Sequence, residues 1–335
     1  MNSQRVSVAI GTHNGAPFIE EQLRSILNQT IPPDEIVISD DASTDGTIRV
    51  ARSVFEKHES LVRGVTSTLR VIENPVALGI AANFQQALMA STGDLIALSD
   101  QDDVWEPGRL EAALREFTSR PELDLLHSDA ILVDSNGDPI GGTLFEAIEV
   151  SEEMRRQIHD GRALKVLMRR NVVTGATVVI RRRLLLRATP FPSSWLHDEW
   201  LAIVAAATGT SDLSETPLVR YRQHASNEIG ARRLGFMGKV QRMLEPGGAR
   251  TARLLARADE LVERFASGAP EVSPEVLAAA RDKLAHEQLR SSLKPRRAAR
   301  IVPVLREWST GRYSTYGRGA VDLVRDVLQP LNALR

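Results

Sequence analysis

From residue 6 to residue 117 the chain alternates short apolar segments with single stretches of helical spacing, and this alternation limits its architecture most. The apolar segments are Val6–Ile10, Glu35–Ser39, Leu69–Ile72 and Leu95–Leu98. Pro17–Asn28, Thr47–Lys57, Ile80–Ala90 and Glu106–Phe117 read as helices. Strands apolar on both alternating faces, each separated by one helix, make a mostly parallel sheet covered on both sides. In such α/β sheets ligands collect at the carboxyl ends of the strands. There this sequence places its most polar turns.

Further along, Leu125–Val133 reads as a strand ending near an Asn136-Gly137 turn, and Ser151 as the start of a helix. Ala176–Ile180, Glu199–Ala207 and Leu218–Tyr221 follow as strand, helix and strand. From about Gly230 the pattern becomes helical only, in Thr251–Ala266, Pro274–Leu289 and Ala320–Leu328. Two domains are expected, an α/β domain over 1–230 and an all-helical C-terminal region over 231–335, since 335 residues exceed the size at which one core stops growing.

The near-neutral total, 42 basic against 43 acidic residues, hides a division at the same place. Met1–Gly230 holds 22 basic and 32 acidic residues, a net −10, and the remainder 20 and 11, a net +9. The absence of cysteine excludes a disulfide framework, a zinc–thiolate site and a thiol nucleophile. The longest apolar runs, such as Val172–Ile180 and Leu201–Thr208, fall well short of the roughly 20 residues of a membrane span. Met1–Arg5 is polar and leads straight into the first strand, so a cytoplasmic location is expected.

Three turns carry candidate chemistry. Ser99-Asp100-Gln101-Asp102-Asp103-Val104-Trp105 sets three carboxylates in four residues directly after an apolar strand. Such charges repel, and a counter-cation is the simplest remedy. Carboxylate oxygens suit Mg²⁺ or Mn²⁺, which take remaining ligands from water and substrate phosphates. A solvated acidic loop capping the next helix is the plain alternative. In Ser39-Asp40-Asp41-Ala42-Ser43-Thr44-Asp45-Gly46-Thr47, a carboxylate is placed to accept from a base N–H, or simply to close a capped turn. Gly11-Thr12-His13-Asn14-Gly15 supplies small polar residues that let a nucleotide approach closely, a weak pattern on its own.

Taken with Leu23-x-x-Ile26-x-x-Gln29-Thr30 and Gly79-x-x-x-Asn83-Phe84, these turns make the sequence resemble the family 2 glycosyltransferases of GT-A fold. That fold is Rossmann-like, a mostly parallel central sheet with helices on both faces; here a helical extension follows it. The resemblance runs from about Val6 to Ala231. His197-Asp198-x-Trp200 and Tyr221-Arg222-Gln223-His224-x-x-Asn227-x-x-Gly230-Ala231 are most similar to the bacterial rhamnosyltransferase-type members.

The resemblance implies roles for particular positions. Asp41 would pair with a uracil or thymine ring, Thr12, Asn14 and Asn83 would lie at the nucleotide, and Asp100 at the ribose. Asp102 would reach a divalent ion, Mg²⁺ or Mn²⁺, joined by His224, and Arg222 would compensate phosphate charge. Thr174, Gly175 and Trp200 would line the acceptor cleft. Asp198 would be the base that deprotonates the acceptor hydroxyl in an inverting reaction. The family often has Glu-Asp there, so His197 is a departure that changes the surroundings of the base.

The implied activity is transfer of a sugar, L-rhamnose from dTDP-rhamnose, to a glycan or lipid-linked hydroxyl in bacterial surface polysaccharide synthesis. The alternatives are a UDP-hexose or UDP-N-acetylhexosamine donor, or a GT-A domain that binds nucleotide or glycan without turnover. No nucleic-acid partner is expected. For the basic helical tail three roles stay open: packing on the catalytic domain, homodimer formation, and peripheral contact with the inner face of the plasma membrane.

Overall fold

The computed structural model describes residues 4–61, 67–223 and 248–330. The chain divides into two compact units, Met1–Gly161 with Val172–Ala231, and Arg162–Asn171 with Arg232–Arg335. The short segment 162–171 thus groups with the C-terminal helices. The expected boundary at 230/231 lies outside the described residues.

The first unit is built on a nine-stranded sheet. Its strands are β1 Val6–Thr12, β2 Glu35–Asp40, β3 Thr68–Glu73, β4 Leu95–Ser99, β5 Val104–Trp105, β6 Leu123–Val133, β7 Pro139–Thr143, β8 Val179–Arg181 and β9 Thr210–Arg222. They lie in the order β3-β2-β1-β4-β8-β6-β9-β5, with β7 on β6. The four expected N-terminal strands are parallel throughout. Beyond β4 the sheet becomes mixed, because β8 runs antiparallel to both β4 and β6.

Burial explains the ordering. β2 and β4 are buried along their whole length and β1 nearly so, as central strands must be, whereas β3 alternates exposed and half-buried residues at the edge. Helix α1, Ile19–Leu27, buries Ile19, Leu23, Ile26 and Leu27, a stripe at helical spacing that seats it in the same core as Val8, Ile10 and Ile36. Helices α2 Thr47–Leu61, α3 Ile80–Ala90 and α4 Arg109–Ser119 follow β2, β3 and β5. Gly11 is required where β1 passes beneath α3, since a Cβ there would come within 2.8 Å of the Phe84 ring.

After β7 come α5 Leu144–Ala147 and α6 Glu152–His159; Ser151 caps α6, its hydroxyl accepting from the Met154 amide. α8 Arg182–Ala188 and α9 His197–Thr208 lead into β9. Two elements differ from expectation. Gly175–Thr177 is a 3-10 turn and the strand begins at Val179, because the Thr174 carbonyl accepts from the Thr177 amide and hydroxyl. β9 is 13 residues long and extends far N-terminal of Leu218.

The second unit holds α7 Ala163–Arg169, α10 Gly248–Ala266, α11 Pro274–Ser291, α12 Ile301–Ser309, α13 Arg312–Tyr316 and α14 Ala320–Leu328. Its small apolar core of Leu293, Val304 and Tyr313, with Leu323 and Val327 against it, sits beside a buried ionic network. Arg290 bonds both carboxylate oxygens of Asp326 at 2.7 and 3.1 Å, and the Tyr313 hydroxyl donates to the same carboxylate at 2.8 Å.

Candidate active site

The chain leaves β1 toward β2 on one side and returns to β4 on the other, so β1 marks the switch point of the parallel half. Crevices at such points receive ligands. The turns after β1, β2 and β4 all open there, and they are the three polar turns singled out in the sequence.

The first two turns are locked to each other. Thr12 is buried and its hydroxyl donates to Asp40 Oδ1 at 2.6 Å, which also accepts from the Ser43 hydroxyl at 2.6 Å. Asn14, at φ 47°, donates its amide to Ser43 Oγ and accepts the Thr44 amide at Oδ1, 2.8 and 2.9 Å. Asp41 accepts the Leu78 and Gly79 amides, 2.5 and 2.9 Å, one carboxylate oxygen to each. An ionised carboxylate has about four acceptor positions, so room for a further donor remains. Asn83 is buried; its Oδ1 accepts from Ser39 Oγ at 2.6 Å and its Nδ2 donates to the Ser39 carbonyl at 2.9 Å. Thr12 and Asn83 therefore shape the floor of the crevice through Asp40 and the end of β2.

A cavity of about 590 Å³ adjoins the second turn, lined among others by Asp40, Ser43, Arg49, Arg52 and Glu73. Neither Asp41, Asp100, Asp102 nor Asp198 lines it.

The acidic turn is held from two sides. Gln101 grips the first turn, accepting the His13 amide at 2.9 Å and donating to the His13 carbonyl at 3.0 Å. Arg222, at the end of β9, donates Nε to the Asp102 carbonyl at 2.6 Å, Nη1 to the Ser135 carbonyl at 2.8 Å and Nη2 to Glu21 at 2.5 Å, while its amide reaches Asp103 Oδ1 at 2.9 Å. Its guanidinium is buried by these bonds, so this arginine, expected at the diphosphate, fixes the shape of the acidic turn instead.

The carboxylates sit in a strained electrostatic setting. Burial, followed by the charges of Asp102 and Asp198, pushes Asp100 up to about 8, with Arg109 opposing. Burial, then Asp102 and Asp100, drives Asp103 well above the usual carboxylate range. Asp103 Oδ2 is buried with no partner among the described residues. A buried polar atom left open beside two like charges, in a set of hard oxygen donors, fits a divalent cation. Among the described residues no three His, Asp or Glu side chains form a closed cage by themselves. His224 lies outside the described residues.

One contributor was missed in the sequence. Arg109 is almost wholly buried, its guanidinium carbon 3.8 Å from the centroid of the Trp105 ring, and Nη2 donates to the Leu98 carbonyl at 3.2 Å. Burial lowers its pKa to about 9 while Asp103 and Asp100 raise it, which makes it the resident cation of the acidic turn. The only signal was an arginine one helical turn after Trp105.

Asp198 lies in the first turn of α9, where the helix dipole favours a negative charge. Its Oδ2 accepts the Gly175 amide at 2.9 Å and its Oδ1 the Glu199 amide at 2.8 Å. Gly175 is thus brought against the carboxylate, with Thr174 preceding it in the chain. A Cβ at Gly175 would come within 2.9 Å of His197 Nε2 and 3.4 Å of the Asp198 Cβ. His197 is stacked on Phe84 with ring centroids 3.9 Å apart, and burial lowers its pKa to about 3, so it is neutral beside the aspartate. Trp200, expected at the acceptor cleft, is fully buried instead; its indole N–H donates to the Ala188 carbonyl at 2.7 Å and ties α9 to α8.

Residues 7–185, more than half the chain, match the family model Glycosyl transferase family 2. The dTDP-rhamnosyl transferase RfbG of Shigella flexneri is 26% identical over 249 residues, covering 70% of this chain and 78% of that protein. Against several other relatives the match is less complete, and this chain covers 47 to 66% of their length. The fold is shared with TarS 1-349 of S. aureus, solved in complex with UDP-GlcNAc, at TM-score 0.60 and 16% identity over 97% of this chain and 90% of that one. It is also shared with the mannosyltransferase PcManGT of Pyrobaculum calidifontis, solved in complex with GDP-Man and Mn²⁺, at TM-score 0.54 and 20% identity over 98% and 87%.

Proposed function

Because the chain belongs to the family 2 glycosyltransferases, we propose that it moves a sugar from a nucleoside diphosphate donor to a hydroxyl, with inversion at the anomeric carbon. The observation that carries this reading is the pairing of an acidic turn with an independently anchored carboxylate. Asp198 stands close enough to act on the charge of Asp100, yet it is held by α9 and the Gly175 amide rather than by the acidic turn.

The division of labour follows. Asp198 accepts the proton of the acceptor hydroxyl as its oxygen attacks the anomeric carbon, while the bond from that carbon to the diphosphate breaks and the nucleoside diphosphate leaves. Asp41 and Asn14 bind the base and its surroundings, with Thr12 and Asn83 supporting them from below, and Asp100 receives the ribose. Asp102, with His224, would hold a Mg²⁺ or Mn²⁺ ion, which supplies positive charge against the departing diphosphate. Gln101 and Arg222 keep the acidic turn in register with the nucleotide turns. Thr174 and Gly175 orient the acceptor against the base.

For the donor we infer dTDP-L-rhamnose and a glycan or lipid-linked acceptor of a bacterial surface polysaccharide; the similarity to a dTDP-rhamnosyl transferase along most of both chains supports it. Nucleotide release measured across a panel of dTDP-, UDP- and GDP-sugars with Mn²⁺ tests the assignment. Turnover of dTDP-rhamnose well above the others is expected. Turnover of UDP-sugars alone overturns the donor, and nucleotide binding without any turnover overturns catalysis.

A further inference from the structure

We propose that the outer faces of α12 and α14 form a docking surface for an anionic lipid bilayer. Each is a helix of 9 residues that packs on the other through the second unit's core and leaves an apolar stripe uncovered. On α12 the stripe is Ile301, Leu305 and Trp308 at spacings of four and three, with Val302 beside it and 70% exposed. On α14 it is Val321, Val324 and Leu328. Seven large apolar side chains exposed on adjacent short helices are more than scattered surface hydrophobics.

The charges around them identify the occupant. All three acidic residues between Ser292 and Pro330, namely Glu307, Asp322 and Asp326, are buried. They are held by His286, Arg325 and Arg290 respectively. The exposed charges of the same segment are Lys294, Arg296, Arg297, Arg306 and Arg318, every one basic. The fold withdraws negative charge into its core network and leaves a surface of apolar stripes rimmed by cations. A second copy of the same surface would meet like charge at its rim, whereas an anionic headgroup layer meets the rim with opposite charge and the stripes with acyl chains. Neither helix is long enough to cross a bilayer, and among the described residues no helix is long and apolar enough to do so. They would lie in the interface, with Trp308 at headgroup level.

The surface carries its own probe. Of the four tryptophans, Trp105, Trp195 and Trp200 are buried and Trp308 is exposed. The test is sedimentation of the full chain with vesicles of phosphatidylcholine alone or mixed with phosphatidylglycerol, together with acrylamide quenching of tryptophan fluorescence. Binding at least about tenfold stronger to the mixed vesicles is expected, with Trp308 shielded from acrylamide on binding and partial release by salt. L305S/W308S should lose binding by about tenfold or more, and R296E/R297E/R306E should lose the preference for anionic lipid. All these positions are exposed, and unchanged circular dichroism checks that the variants fold. Equal binding to both vesicle types, unshielded Trp308 in the bound protein, or wild-type binding by both variants overturns the proposal. So does a wild-type dimer that L305S/W308S turns into monomer, which would make a second copy the occupant.

Discussion

The amide of Gly175 donates to Asp198 Oδ2 at 2.9 Å, joining the turn before β8 to the first turn of α9. This bond holds the carboxylate facing the acidic turn while the other oxygen is occupied by the α9 backbone. Asp198→Asn keeps the shape and an acceptor oxygen but removes the proton acceptor. Transfer should fall by about 10²–10⁴-fold, with donor affinity by calorimetry within a few-fold of wild type. Retained transfer would transfer the role of base to another group. Gly175→Ala, which drives a methyl into His197 and Asp198, should instead cost about 1–3 kcal/mol of stability, read as a lower urea midpoint.

Divalent ions should stabilise the protein through the same acidic turn. Asp100, Asp102 and Asp103 repel one another, and Asp103 leaves Oδ2 open. Ion bound at a hundred times its dissociation constant adds about 2.7 kcal/mol, a rise of several degrees in the thermal midpoint that EDTA reverses. Asp102→Asn should lose most of that rise. A rise as large in the variant as in wild type would place the ion elsewhere.

The sequence reveals the parallel half of the fold because each of its strands is apolar on both faces and each is followed by one helix. It also reveals the turns, since strand ends at a switch point must be polar to meet a ligand. It hides the first half of β9, Thr210–Thr216, a mostly polar stretch in which Ser211 and Asp212 are nonetheless buried, Asp212 through its bonds to Arg120 and His159 rather than by hydrophobicity. Lateral commitments are equally illegible. Nothing local to Arg222 tells that its guanidinium is spent on Asp102, Ser135 and Glu21, and nothing around Trp200 tells that its N–H faces Ala188 rather than a cleft.

Arg109 should prove essential to folding rather than to ligand contact. It is the buried cation under Asp100 and Asp103 and it stacks on Trp105. Removing one partner of such a buried arrangement costs about 3–5 kcal/mol, so Arg109→Met should lower the urea midpoint strongly. Arg109→Lys should recover only part of the loss, because an ammonium can neither stack flat on the indole nor keep the planar geometry of the guanidinium. Full recovery in the lysine variant would reduce the role of Arg109 to charge alone.

Three buried histidines should make the protein lose stability as the pH falls below about 6.5. Burial lowers His127 to about 4 and both His197 and His286 to about 3. Neither ring nitrogen of His127 or His197 has a hydrogen-bond partner among the described residues, and at His127 the attraction of Asp212 is outweighed by burial. The unfolded chain takes up a proton at each site near pH 6.5 and the folded chain does not until pH 4 or 3. Between those values the unfolded state binds more protons, and stability therefore rises with pH, by at most about 1.4 kcal/mol per pH unit and site. Asp100 acts in the opposite sense: its proton stays on the folded chain up to about 8, so it favours folding as the pH drops from about 8 toward 4. A paired comparison cancels that contribution. His127→Phe keeps a ring packed on Phe145, 5.5 Å away in wild type, and removes one titrating site. Between pH 6.5 and pH 4 the variant should lose less stability than wild type by about 3 kcal/mol, read from urea midpoints at each pH. Parallel curves would mean that His127 takes up its proton inside the folded protein at an ordinary pH.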